Sequence, residues 1–151
     1  MLPQAISESV NSKNPFSPPP GVPERTGVLV YACSGCSDAG ELADRIARQL
    51  ARDGIAQMSC LAGIGGRVKS LVAKAELARR ILVIDGCVLG CGQLTLQMAG
   101  FKQIEHLGLQ DIGLRKGSCS VDAPNISLGV EAARKLIQPP PTNINPHDSA
   151  Q

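Results

Sequence analysis

Apolar and polar positions alternate between two periods along the middle of this chain. Residues 28–32 (Val-Leu-Val-Tyr-Ala) form a short, unbroken apolar run, as does Ile81-Leu-Val-Ile84 within residues 80–85. Such runs mark strands buried on both faces. Between them, Leu42, Ile46 and Leu50 recur at helical spacing beside Ala39, Ala43 and Ala47. Ser37 or Asp38 is placed to cap that helix, and Asp53-Gly54 to end it. A second strand is expected over residues 56–61. It is followed by Gly63-Ile-Gly-Gly66 and a helix with Val68, Leu71, Val72 and Ala75 inward. A helix over residues 91–99 stopping at Gly100, a fourth strand near 104–109, and a last helix with Ile126, Val130, Ala133 and Ile137 on one face complete the series.

Strands alternating with helices predict parallel strands joined by right-handed crossovers. The expected fold is a three-layer α/β domain, with a mainly parallel four-stranded sheet and helices on both faces. The flanks differ in composition. Residues 1–26 are rich in Ser, Asn and Pro, including Pro18-Pro19-Pro20, and read as a disordered arm. Pro139-Pro140-Pro141 stops the last helix and opens a second disordered tail, 139–151. The folded unit is expected over residues 27–138.

Composition narrows the function. Aromatic residues make up 2% of the 151-residue chain, with no Trp, so stacking platforms for single-stranded nucleic acid are lacking. A formal charge of +2, scattered along helical faces, does not mark a nucleic-acid or membrane surface. The first ten residues lack the basic and apolar regions of a secretory signal, and no apolar run approaches the ~20 residues of a membrane span. A reducing, cytoplasmic setting is the expectation. There, cysteines favour metal binding or redox chemistry over structural disulfides.

Five of the six cysteines follow the first three predicted strands: Cys33-Ser-Gly-Cys36, Cys60, and Cys87-Val-Leu-Gly-Cys91. Ligands of open parallel sheets lie beyond the carboxyl ends of the strands. Loops leaving neighbouring strands ~4.8 Å apart can close on one ion, and zinc takes four deprotonated soft ligands in a structural site. The Gly residues around them allow close backbone approach. The plainer alternative for Cys60 and Cys87 is a small buried hydrophobe.

Taken in order, Cys33-Ser-Gly-Cys36-Ser, Cys60-Leu-Ala-Gly-Ile-Gly and Ile84-Asp85-Gly86-Cys87-Val-Leu-Gly-Cys91 resemble the DGC-domain family, named for its central Asp-Gly-Cys. The family is identified by four candidate zinc-chelating cysteines and has no established activity. The resemblance implies Cys33, Cys60, Cys87 and Cys91 as ligands. Cys36 is an addition that could replace Cys33 or stay a free thiol, and Cys119 has no counterpart.

Three further readings stand beside zinc binding. Cys33 and Cys36, before a helix start, could form a thiol–disulfide redox or redox-sensing pair, although the Trp-Cys-Gly-Pro-Cys setting of thioredoxin is missing. Four cysteines also suit an iron–sulfur cluster. A catalytic zinc needs an open position and a nearby acid or base, for which Asp85 is the one candidate. Asp85 could also orient a backbone N–H, and a plain loop-start or capping carboxylate explains it equally well. Gly63-Ile-Gly65-Gly66-Arg67 lacks the ending of a phosphate loop and reads as close packing at a turn. His106 and His147 have no metal-ligand spacing.

Overall fold

The two central strands of the sheet alternate between two cores. The computed structural model describes residues 26–138; the predicted tail and all of the predicted arm but Thr26, which opens the first strand, lie outside the described residues. Strands β1 (Thr26–Ala32), β2 (Gln57–Met58), β3 (Ala78–Asp85) and β4 (Glu105–Gly108) form one sheet in the order β2-β1-β3-β4, and every pairing is parallel. Val30, Ala32, Leu82 and Ile84 point to one face, where they meet helices α1 (Asp38–Arg52) and α5 (Ala123–Ile137). Leu29, Tyr31, Ile81 and Val83 point to the other, where they meet α2 (Leu61–Gly65), α3 (Lys69–Glu76) and α4 (Cys91–Met98). This is the three-layer α/β sandwich that the strand runs predict.

The element order also locates the site. The chain leaves β1 towards β2 on one side and leaves β3 towards β4 on the other. The loops after β1 and β3 therefore diverge, and a crevice opens between them at the carboxyl edge. Cys33 stands at that point, its backbone N–H donating to the Ile84 carbonyl at 3.0 Å.

Local chemistry fixes the elements. Ser37 is the N-cap of α1 and accepts from the Gly40 N–H at 3.1 Å. Asp38 turns outward and accepts from the Gly117 N–H at 2.9 Å and the Cys119 N–H at 3.3 Å, pinning the loop that precedes α5. Gly54, at φ +68°, ends α1. Asp122 caps α5 through the Asn125 N–H. On β3, Arg80 bonds Glu105 and the carbonyls of Leu136 and Ile137, so a cation meets the C-terminal end of α5.

Three expectations change in detail. The second strand is only Gln57–Met58, because the chain turns into α2 at Leu61 and Cys60 becomes that helix's N-cap. Gly63-Ile-Gly65 lies within α2 rather than in a loop before a helix. A Cβ on Gly63 would collide with Leu71, so the glycine serves the packing of α2 on α3. Val68, expected inward, is 45% exposed as the residue preceding α3.

Hydrogen bonds from Gly117 first, then Ala39, hold the Asp38 carboxyl below the usual carboxylate range. A depressed folded value means that the stabilisation is present at neutral pH and is lost as pH falls through that range. Asp38→Asn should therefore lower stability at pH 7 and flatten the acid limb of the stability–pH curve below about pH 4. Urea unfolding between pH 3 and 7 measures both effects, and an unchanged acid limb would exclude the Asp38 contribution.

Candidate metal centre

At the end of β3, Asp85 is 1% exposed and its carboxylate organises the whole carboxyl edge. Gly90, at φ +59°, starts α4 without a side chain to cap it. Asp85 does so from the neighbouring strand: Oδ1 accepts from the Gly92 N–H at 2.7 Å and Oδ2 from the Gln93 N–H at 3.0 Å. Oδ2 also lies 3.1 Å from Nε2 of His106 on β4. One buried carboxylate thus joins β3, β4 and the helix that begins with Cys91. Asp85 orients backbone N–H groups, one of the roles considered for it. His106, which has no ligand spacing, is its partner; the β3–β4 register brings the two together, and the sequence carries no local signal for it.

The glycine of the Asp-Gly-Cys triplet is equally constrained. A Cβ on Gly86 would lie 2.5 Å from the backbone of Ala39 and 2.8 Å from the Gly40 nitrogen. One on Gly40 would lie 2.7 Å from the Gly35 carbonyl oxygen. The first turn of α1 therefore presses against both cysteine-bearing loops, and only hydrogen fits at these contacts. Ser34, between Cys33 and Gly35, adopts φ +45°, which is rare for a residue with a side chain. Its Oγ donates to Asp44 at 3.0 Å.

All six cysteines are free thiols. Cys33 is half-buried and its Sγ accepts from the Gly86 N–H at 3.3 Å. Burial pushes its thiol up; the Gly86 and Gly35 N–H groups oppose that, and the charges of Asp85 and Cys87 add to it. Cys60 is exposed at the start of α2, where its Sγ accepts from the Gly63 N–H at 3.4 Å. Cys91 is exposed as the first residue of α4.

Cys33, Cys60 and Cys91 line one cleft of about 870 Å³ on the α2–α4 face. Cys87 is half-buried and lines a separate hollow of about 400 Å³ with Gln110, Arg115 and Lys116. Cys36 is exposed and Cys119 is buried below α1, where burial and then the Asp38 charge push its thiol up. As the side chains stand, no three His, Cys, Asp or Glu side chains among the described residues are close enough to hold an ion. The donor set suits a soft metal, and three of its members line one cleft; to hold an ion, their side chains would have to move together.

The cleft also carries charge and an unsatisfied oxygen. Asp44 pairs with Arg48 at 2.6 Å at its edge. Burial works against the Asp44 charge, but hydrogen bonds from Arg48 and Ser34 with the Arg48 and Arg45 charges outweigh it and hold the carboxyl low. Lys74 is half-buried and has no ion-pair partner among the described residues. Ser59 Oγ is buried without a well-formed hydrogen bond, and its neighbour is the Tyr31 hydroxyl.

Asp85→Ala should cost about 2–3 kcal/mol, because it strands two α4 amides in a dry site. Gly86→Ala should cost about 1–3 kcal/mol by overpacking against backbone. Chemical denaturation checks both, and a Gly86→Ala protein as stable as wild type would refute the tight α1 contact.

The DGC-domain family model matches residues 29–137. Over 88 residues, 58% of this chain and 67% of the relative, the sequence is 47% identical to the Anaerobic and virulence modulator AnvM of Pseudomonas aeruginosa. No solved structure matches the chain. With the Asp-Gly-Cys triplet at the heart of its sheet edge and the family model spanning most of its length, the chain belongs to the DGC-domain family.

Proposed function

We propose that this protein binds one metal ion through cysteine thiolates at the carboxyl edge of its sheet, in a reducing cytoplasmic setting, and that the ion is zinc. The observation that supports this most is the shared cleft: Cys33, Cys60 and Cys91 come from three separate stretches of chain and all line it. Cys87, the fourth member of the set implied by the family resemblance, is near enough to raise the Cys33 thiol, and Cys36 lies three residues from Cys33. Thiolates match zinc, which would supply a positive centre to otherwise repelling sulfurs. An iron–sulfur cluster draws on the same donors.

Redox sensing is a second reading. Cys36, Cys60 and Cys91 are exposed, and the relative is named a modulator in an anaerobic context. A peroxide could convert two thiolates to a disulfide, releasing the ion and forming water. A dedicated Cys33–Cys36 exchange pair gains less support, since burial raises the Cys33 thiol, the reverse of an activated nucleophile.

Untagged protein purified without oxygen should carry about one zinc per chain. Cys60→Ser should lose most of it while keeping its far-ultraviolet circular dichroism. Elemental analysis decides the matter: metal-free protein that is folded and takes up no zinc would overturn the proposal, and iron with visible absorbance would replace zinc by a cluster.

A further inference from the structure

From the outward side of α4 we infer a docking surface for another protein. Val88, Leu89, Leu94 and Met98 form an apolar stripe with cations at both ends, and it takes an amphipathic helix that carries carboxylates beyond the ends of its own apolar face. The inference is independent of the metal reading above.

Val88 and Met98 are 82% and 77% exposed, and Leu89 and Leu94 are each more than half exposed. α4 buries Gly92 and Leu96 on the sheet side, so Leu94 and Met98, one turn apart, share the outward side. Leu89 precedes the N-cap Gly90, and Leu94 is the fourth helical residue. At that spacing a hydrophobic staple brings two apolar side chains together. Val88 extends the stripe into the loop. The outer side of α1 is different: Glu41–Arg45 and Asp44–Arg48 pairs cover it, as befits a solvated helix face. α4 has no charged residue at all. Single exposed apolar side chains are ordinary, whereas a contiguous group marks an interaction site. Leu and Met anchors one turn apart suit a helical partner.

Charge selects the occupant. Val88 and Leu89 share their hollow with Arg115 and Lys116. At the other end, the Arg67 guanidinium donates to the Met98 carbonyl. None of these three cations has an ion-pair partner among the described residues. A second copy of this chain is a poor match, because pairing the stripe with itself, either way round, sets cations against cations. Residues 1–25 of the chain balance Glu8 and Glu24 with Lys13 and Arg25, so they bring no net negative charge. An anionic membrane would suit the cations, but the stripe lacks the aromatic side chains that anchor among headgroups. A helix with acidic ends satisfies the stripe and its charged flanks together.

The test uses the full chain and a fluorescein-labelled synthetic helix of about 20 residues, long enough to be helical alone, with a leucine stripe and glutamates at both ends. A counterpart carries lysines in place of the glutamates. Fluorescence anisotropy should show micromolar binding of the acidic helix and none of the basic one. Leu94→Ala and Met98→Ala should each weaken binding roughly tenfold, the scale of truncating an interface anchor. Arg115→Ala and Lys116→Ala should each weaken it roughly two- to fivefold, and by less in high salt. All four side chains are exposed, so circular dichroism should match wild type. Equal binding of the two helices, or binding of neither, would overturn the inference with no variant needed. Affinity unmoved by Leu94→Ala and Met98→Ala would do the same. Dimers in sedimentation that Met98→Asp splits would give the face to a second copy. Co-sedimentation with phosphatidylserine vesicles that Met98→Asp abolishes would give it to a membrane. Either result overturns the acidic-helix assignment.

Discussion

A single buried carboxylate sets the geometry of the carboxyl edge. Asp85 is almost wholly removed from water, yet both of its oxygens are engaged by the α4 amides and by His106. A buried charge persists only with such partners. The requirement works in both directions: α4 starts with a glycine that cannot cap it, so the helix begins where the strand's carboxylate can reach its amides. The position of Cys91 follows from that docking. A Cβ on Gly92 would lie 2.9 Å from Asp85 Oδ1, so the residue after the cysteine must also stay small for the carboxylate to fit. The Asp of the Asp-Gly-Cys triplet thus acts on a cysteine six residues further along, and the Gly makes room for α1.

The five cysteines at this edge hold structurally different posts. Cys60 occupies a helix N-cap, a place usually taken by Ser, Thr, Asp or Asn. Cys33 accepts a backbone N–H from Gly86 across the switch point. In both cases sulfur stands where an oxygen acceptor would serve local structure better. A weak acceptor at a capping position makes sense where the atom has another partner, and N–H···S contacts of this kind remain available to a metal-bound thiolate as supporting bonds. Cys119 shows the contrast: it is buried in the α1–α5 core beside an acidic group and behaves as a small hydrophobe.

The fold was legible because its signals are local. Ile81-Leu-Val-Ile84 and the Leu42–Ile46–Leu50 stripe carry their periods in a few residues, and both occupy the layers they predict. Boundaries were less so: β2 shrank to two residues because α2, a five-residue helix without a polar position, is too short to show a helical period and reads as a continuation of the strand's apolar run. Val68 fits the helical stripe of α3 but precedes the helix, where the phase of the stripe no longer decides which way a side chain points. Clustering of cysteines at one sheet edge was readable from strand order alone. Their separation into two hollows was not, since it depends on which side of the β3–α4 loop each residue leaves. The pairing of His106 with Asp85 was hidden likewise: the two are 21 positions apart, and only the β3–β4 register brings them together.

Charge explains why the cleft and the hollow are unequal places. Around the cleft, Asp44 pairs with Arg48, and Lys74 lines it with no ion-pair partner among the described residues. Around Cys87, Arg115 and Lys116 line a space half the size. The turn that carries Cys87 is held by two α4 amides on one side and by the α1 backbone on the other. Moving it would break the carboxylate's bonds in a dry site, at a cost of about 1–3 kcal/mol for each group left unpaired. The backbone of this edge is therefore set before any ligand arrives, and what is left free to adjust is the cysteine side chains.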